Sequence, residues 1–108
     1  MTIEYIRYEL SKHSAEDLIL AYGKAGESLK AAPECLGFDL SRCEEAPATF
    51  VLRIRWTSTE DHLQKFRKGP HFPDFFALVR PFIEEMVEMR HYEDTGLSWA
   101  RQPHGQQA

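Results

Sequence analysis

Thr49-Phe50-Val51-Leu52-Arg53-Ile54-Arg55-Trp56-Thr57 alternates apolar and polar side chains and ends on an indole. A period of two is the mark of a strand with one buried face. Just upstream, Cys35 to Glu44 alternates in the same way, and Glu45-Ala46-Pro47-Ala48 between the two runs reads as a turn, so the pair forms a hairpin. Leu36, Phe38 and Leu40 are even-numbered, as are Phe50, Leu52, Ile54 and Trp56, and a register with even sums puts all seven on one side. The opposite side then carries Gly37, Asp39, Ser41 and Cys43 beside Val51, Arg53 and Arg55, with Asp39 across from the arginines.

Outward from the hairpin, Ile3 to Leu10 is rich in Ile and Tyr and reads as a first strand. Ser14 followed by Asp17 is a helix-start signal, and Leu18, Tyr22, Ala25, Leu29 and Ala32 give the helix one apolar face that Pro33 ends. After the hairpin, Ser58 with Asp61 repeats the start signal for a short helix bearing Leu63 and Phe66, which stops at Gly69-Pro70. Phe72, Phe75, Phe76, Val79, Phe82, Ile83 and Met86 keep helical period across Pro81, where the helix should kink or restart. Val87 to Glu93 closes the pattern as a strand. The order strand, helix, strand, strand, helix pair, strand predicts an α+β, ferredoxin-like antiparallel sheet with helices on one face. Its other face, holding Val51, a tyrosine or isoleucine of the first strand and a closing-strand methionine or valine, predicts a homodimer.

At 108 residues the chain fits one domain, expected over 1–94, with a polar tail over 95–108 whose last residues are expected to be mobile. A net charge of −4 and a pI near 5.7 give no basic field for a nucleic-acid partner. Met1-Thr2-Ile3-Glu4 lacks a basic segment followed by an apolar run, and no stretch has the length of a membrane helix, so a cytoplasmic location is expected. Cys35 and Cys43, eight positions apart on one strand, are too distant to bridge and are expected as free thiols.

Leu52-Arg53-Ile54-Arg55-Trp56-Thr57-Ser58, followed by Gly69-Pro70-His71-Phe72 and Phe75-Phe76, resembles the antibiotic biosynthesis monooxygenase family, and Cys35-Leu36-Gly37-Phe38 is similar to the opening of that family's second strand. The resemblance runs from Ile3 to Glu93 and implies a dimeric α+β barrel. It implies a pocket between sheet and helices in each protomer, and oxidation of electron-rich phenols or quinols by O2 without metal or flavin. Relatives that bind and degrade haem belong to the same group. In the oxygenases and haem degraders an asparagine stands on the first strand, whereas this chain contains no asparagine and leaves that polar role unfilled. A histidine that many relatives carry near the position of Lys65 or Phe66 is found here one turn earlier, at His62.

Candidate residues follow from this pattern. Trp56 at its strand end, with Phe66, Phe72, Phe75, Phe76, Phe82 and His71 around it, reads as the wall of a pocket for a flat molecule, or as a core aromatic. His71 at a helix start reads as a proton carrier or a cap, and His91, between Arg90 and Tyr92, points either to the helices or to the opposite face. Tyr8 and Tyr22 offer phenolic hydroxyls, and His62 is a further pocket residue. His62, His71 and His91 match no metal-ligand spacing and have no evident carboxylate to complete a set, so no metal is expected. The expected function is a cofactor-independent monooxygenase acting on a small planar phenol or quinol, with His71, His91 or Tyr8 handling protons. The alternative is a dimeric module that holds haem or an aromatic metabolite, and a third possibility is an interaction domain with a vestigial pocket.

Overall fold

Glu4, Ile6 and Tyr8, the even-numbered side chains of the first strand, are buried, whereas Ile3, Tyr5 and Arg7 between them are only half-buried. This strand, β1 (Thr2–Glu9), lies between β3 (Thr49–Trp56) and β4 (Met86–Glu93), and β2 (Cys35–Arg42) forms the other edge, all neighbours antiparallel. The computed structural model describes residues 1–102. The helices α1 (Ala15–Ala31) and α2 (Phe72–Val79), a π-helical turn (Asp61–Phe66) and a 3-10 segment (Arg80–Glu85) cover one face of the sheet. The mobile end expected of the tail falls at 103–108, outside the described residues.

Local signals account for most of these elements. Ser14 Oγ accepts from the Asp17 N–H at 3.1 Å while the Asp17 carboxylate accepts from the Ser14 N–H at 3.0 Å, a reciprocal cap that satisfies two otherwise unpaired donors. Leu18, Tyr22, Ala25, Leu29 and Ala32 are all buried, as the spacing predicts. Pro81 ends the α-helical pattern: α2 stops at Val79 and the chain continues as a 3-10 segment. Met86, in phase with the helix by sequence, opens β4 instead, one residue ahead of the predicted start.

The hairpin register confirms the parity reading with one exception. Phe38↔Ile54 and Leu40↔Leu52 pair with even sums, and Arg53 reaches Asp39 at 2.7 Å on the outer face. Between Cys35 and Gly37 the register shifts, Cys35 pairs with Trp56, and Leu36 is left 49% exposed while Cys35 packs against the core. Only six of the seven even residues therefore share the helix-facing side; a bulge inserts one unpaired residue and flips the parity beyond it. The two cysteines are free, as expected.

The predicted short helix takes the wider π form, in which the Arg67 N–H bonds to the His62 carbonyl at 3.1 Å. Gly69 closes it so tightly that a Cβ there would stand 2.3 Å from the Lys65 carbonyl oxygen. Glu85 at the end of the 3-10 segment is 3% exposed and accepts the backbone N–H groups of Ser11, Lys12 and His13 at 2.7, 2.9 and 3.2 Å, together with the His13 ring. It ties the loop after β1 to the start of β4, a role with no sequence signature.

Two predictions follow from this frame. Gly69→Ala should cost roughly 1–3 kcal/mol, since the backbone oxygen cannot yield without opening the turn; an unchanged denaturation midpoint would count against the close approach. Burial alone would raise the Glu85 carboxyl, but the His13 ring and the three backbone donors outweigh it and lower the pKa from 4.5 to about 2. A carboxyl depressed in the folded state lends stability above its unfolded pKa and loses it on acidification, here between about 4.5 and about 2. Glu85→Gln should lower the urea midpoint at pH 7 by the equivalent of roughly 1.5–3 kcal/mol, with a flatter acid profile than wild type. Parallel profiles would refute the assignment.

Candidate functional site: an aromatic cavity with a buried Glu-His-His end

Between the sheet and the helices lies a cavity of about 280 Å³. Trp56 from β3, Phe66 from the π turn and Phe72, Phe75 and Phe76 from α2 form its aromatic walls, and Ile6, Ile54 and Val79 fill the gaps. Ile83, Met89 and Arg67, all exposed, mark its mouth. Phe66 stands edge-on to both Phe72 and Phe75, at centroid distances of 5.7 and 5.4 Å, in the geometry aromatic quadrupoles favour.

Two polar groups interrupt this apolar lining. At one, the hydroxyls of Tyr8 and Tyr22 bond to each other at 2.6 Å, and burial pushes the Tyr8 phenol up to about 12 and raises Tyr22 further. The pair stays protonated and can offer one hydrogen to a ligand oxygen. At the other, Trp56 Nε1–H donates to Glu4 Oε1 at 3.0 Å, and the His62 ring stacks on the indole at 4.3 Å with 9° between planes. His62 Nδ1 lies 2.8 Å from His91 Nε2, and His62 Nε2 lies 3.6 Å from Glu4 Oε1. The tautomers that satisfy all three groups have His91 Nε2–H donating to His62 Nδ1, with His62 Nε2–H directed at the carboxylate. Burial raises the Glu4 carboxyl against the opposing pull of the Trp56 N–H and the Arg67 charge, and burial lowers His62 to about 3 with Arg67 and His91 acting in the same direction, so His62 is neutral and the 3.6 Å contact is not an ion pair. His91 is lowered by burial and by the Arg67 charge.

Strand pairing explains how the group assembles. Glu4 and His91 are register partners on β1 and β4, so their side chains stand together on the helix face, and Trp56 sits diagonally across from Glu4 on β3. The π turn begins with the Asp61 N–H capped by Ser58 Oγ at 2.9 Å, which delivers His62 over the indole.

Of the sequence candidates, Trp56, His62, Phe66, Phe72, Phe76, Tyr8 and Tyr22 line the cavity, and His91 joins it through His62. His71 does not: the residue before α2 makes no side-chain cap bond and lies beside Pro33, Glu34 and Lys65 in a separate depression. Phe82 packs instead against His13, at 4.4 Å between centroids. A polar side chain of the first strand, Glu4, faces the cavity, and it supplies the carboxylate that was missing from the histidine set: one ligand atom from each of Glu4, His62 and His91 lies within 4.8 Å of the others. The outer face holds Ile3, Tyr5, Arg7, Val51, Glu88 and Tyr92; of the closing-strand methionine or valine expected there, Met86 and Met89 line the cavity, and Val87, 46% exposed, lies at the register shift between Met86 and Glu88.

The sequence model for antibiotic biosynthesis monooxygenases matches residues 1–78. The chain belongs to the antibiotic biosynthesis monooxygenase family. The uncharacterized protein YczJ of Bacillus subtilis (strain 168) is 24% identical over 74 residues, covering 68% of this chain and 78% of its own. A crystal structure from Bordetella bronchiseptica, assigned to the antibiotic biosynthesis monooxygenases, superposes with a TM-score of 0.71 at 22% identity, covering 87% of this chain and 96% of that one. SnoaB of Streptomyces nogalater, a cofactor-independent oxygenase, superposes with a TM-score of 0.63 at 18% identity over 97% of both chains. At these identities the superpositions establish the ferredoxin-like fold of the family. Among the described residues no helix is long and apolar enough to cross a membrane.

Trp56→Phe removes the donor to Glu4 and part of the surface beneath His62. The variant should lose roughly 2–4 kcal/mol of stability, because a buried carboxylate is left without its partner. A loss below about 0.5 kcal/mol, the range of ordinary surface substitutions, would show that the indole N–H is not needed there.

Proposed function

We propose that the protein is a homodimeric, cytoplasmic monooxygenase that oxidises a small planar phenol or quinol with O2 and needs no flavin or haem. The observation that carries this reading is an aromatic-walled cavity of about 280 Å³ with proton-accepting groups at one end and a phenolic donor pair in its lining. That volume, at the low end of ligand pockets, suits a compact ring system. It favours the oxygenase over the haem-binding alternative. Family membership and the description of SnoaB as a cofactor-independent oxygenase support the same choice.

In this reading the substrate ring lies against Trp56, its hydroxyl gives up a proton to the Glu4, His62 and His91 group, and the Tyr8–Tyr22 pair donates to a substrate oxygen. His71, outside the cavity, has no part in the proton transfer. The phenolate passes one electron to O2. The resulting phenoxyl and superoxide radicals join at the ring carbon para to the oxygen, forming a C–O bond. Loss of water breaks the O–O bond and gives the quinone: one oxygen atom enters the product, and the other leaves as water with the former O–H and C–H protons. The protein's contributions are deprotonation, orientation and exclusion of bulk water.

Incubation with 1-naphthol under ¹⁸O2 should consume one O2 per quinone and place one labelled atom in the product. Trp56→Ala should lower kcat/KM about tenfold or more. Absence of uptake across a panel of para-unsubstituted phenols and naphthols, or an unchanged rate in Trp56→Ala, would refute the reading. For the assembly, the face carrying Tyr5, Val51 and Tyr92 should pair two copies. Sedimentation should give a dimer that Val51→Arg converts to monomer, and a wild-type chain that stays single at high concentration would rule the dimer out.

A further inference from the structure

Three separate segments bring Glu4, His62 and His91 to a common point, although nothing in their sequence spacing resembles a ligand motif. We propose that these side chains form a binding site for a divalent first-row transition ion of the Zn²⁺ or Fe²⁺ class. Two imidazoles and one carboxylate are a donor set such ions accept, with at least one coordination position left for water or an exogenous ligand. Metal bonds of about 2.1 Å put the donors of a tetrahedral site roughly 3.4 Å apart. With one donor atom taken from each residue, the three atoms lie within 4.8 Å of one another, so side-chain rotations must draw them together around an ion.

The surroundings have the features that support metal ligands. Trp56 Nε1–H holds Glu4 Oε1, and the parallel indole fixes the plane of His62. Glu4 and His91 are fixed by direct strand pairing, so two of the three donors are set by backbone geometry. Both imidazoles are neutral in this environment, the form that binds metal. Arg67 opposes a cation here, but it lies at the exposed cavity mouth, with Nη2 3.7 Å from Met89 Sδ, and the Glu4 carboxylate offsets its charge. Glu4 and His62 line the cavity, so a ligand in the open position would come from that side. An ion held by His91 Nε2 requires that ring's proton to sit on Nδ1, and it takes up the imidazole and carboxylate lone pairs of the site. Metal occupancy and proton acceptance from a phenol therefore exclude one another.

The test is titration of tag-free protein with Co²⁺, followed by its visible d–d bands, and then displacement by Zn²⁺ in a calorimeter. Wild type should take up one equivalent per chain. His91→Ala, at a partly exposed position, and Glu4→Gln, which retains an acceptor for Trp56, should each weaken binding about tenfold or more. His13→Ala and His71→Ala should leave it unchanged. No stoichiometric uptake by wild type, or wild-type affinity in both His91→Ala and Glu4→Gln, would overturn the site. Circular dichroism of each variant separates loss of ligand from loss of fold. Because the readout involves no oxygenation, a failed oxygenase assay and a failed metal site are distinct results.

Discussion

A carboxyl group sits 2% exposed among aromatic rings in this protein, and much of the architecture is the set of neighbours that make it tolerable. An ionised carboxylate in an apolar cavity is costly unless it is hydrogen-bonded. The indole N–H of Trp56 meets that need for Glu4, and the same indole supplies the flat surface on which His62 stacks. Trp56 is thus at once core, donor and cavity wall. The two readings of it offered by sequence, pocket or packing, are one role seen from two sides.

The two faces of the sheet divide the work. The helix-facing side holds the cavity and its polar end, while the outer side presents Tyr5 edge-on to Tyr92 at 5.2 Å, flanked by the Arg53–Asp39 pair. The first side carries the buried core, with Phe38, Leu40 and His91 half-buried at its margins, whereas the second mixes half-buried Tyr5 and exposed Tyr92 with charges that solvent or a second copy can satisfy. A one-residue slip in β1 would exchange these roles and place Glu4 outside, so cavity chemistry and the surface available for association depend on one register.

Much of the fold was legible because its signals are local. The Ser14–Asp17 cap, the break at Pro81 and the alternation of β3 each act over a few residues and survive in the structure unchanged. The site was harder to read. Thr2 to Glu9 alternates with hydrophobic side chains on both faces, so only pairing with β3 reveals that Glu4 points inward. The face of His91 follows from its pairing with Glu4, Met86 depends on a register shift between Arg7 and Tyr8, and Leu36 depends on another between Cys35 and Gly37. At Gly37 the Arg55 guanidinium occupies the place a Cβ would take, a contact that no strand propensity encodes. His71 was misplaced because the Gly69-Pro70 corner turns it away from the cavity, beside Pro33 and Glu34.

The histidine contact over the indole is the feature on which the account most directly stands or falls. In ¹⁵N-labelled, metal-free protein, NMR should detect a through-hydrogen-bond nitrogen–nitrogen coupling between His62 Nδ1 and His91 Nε2, separated here by 2.8 Å. His91 should be the Nε2–H tautomer and His62 should carry its proton on Nε2. Two uncoupled rings, or His62 protonated on Nδ1 with no proton facing Glu4, would contradict the polar end as described.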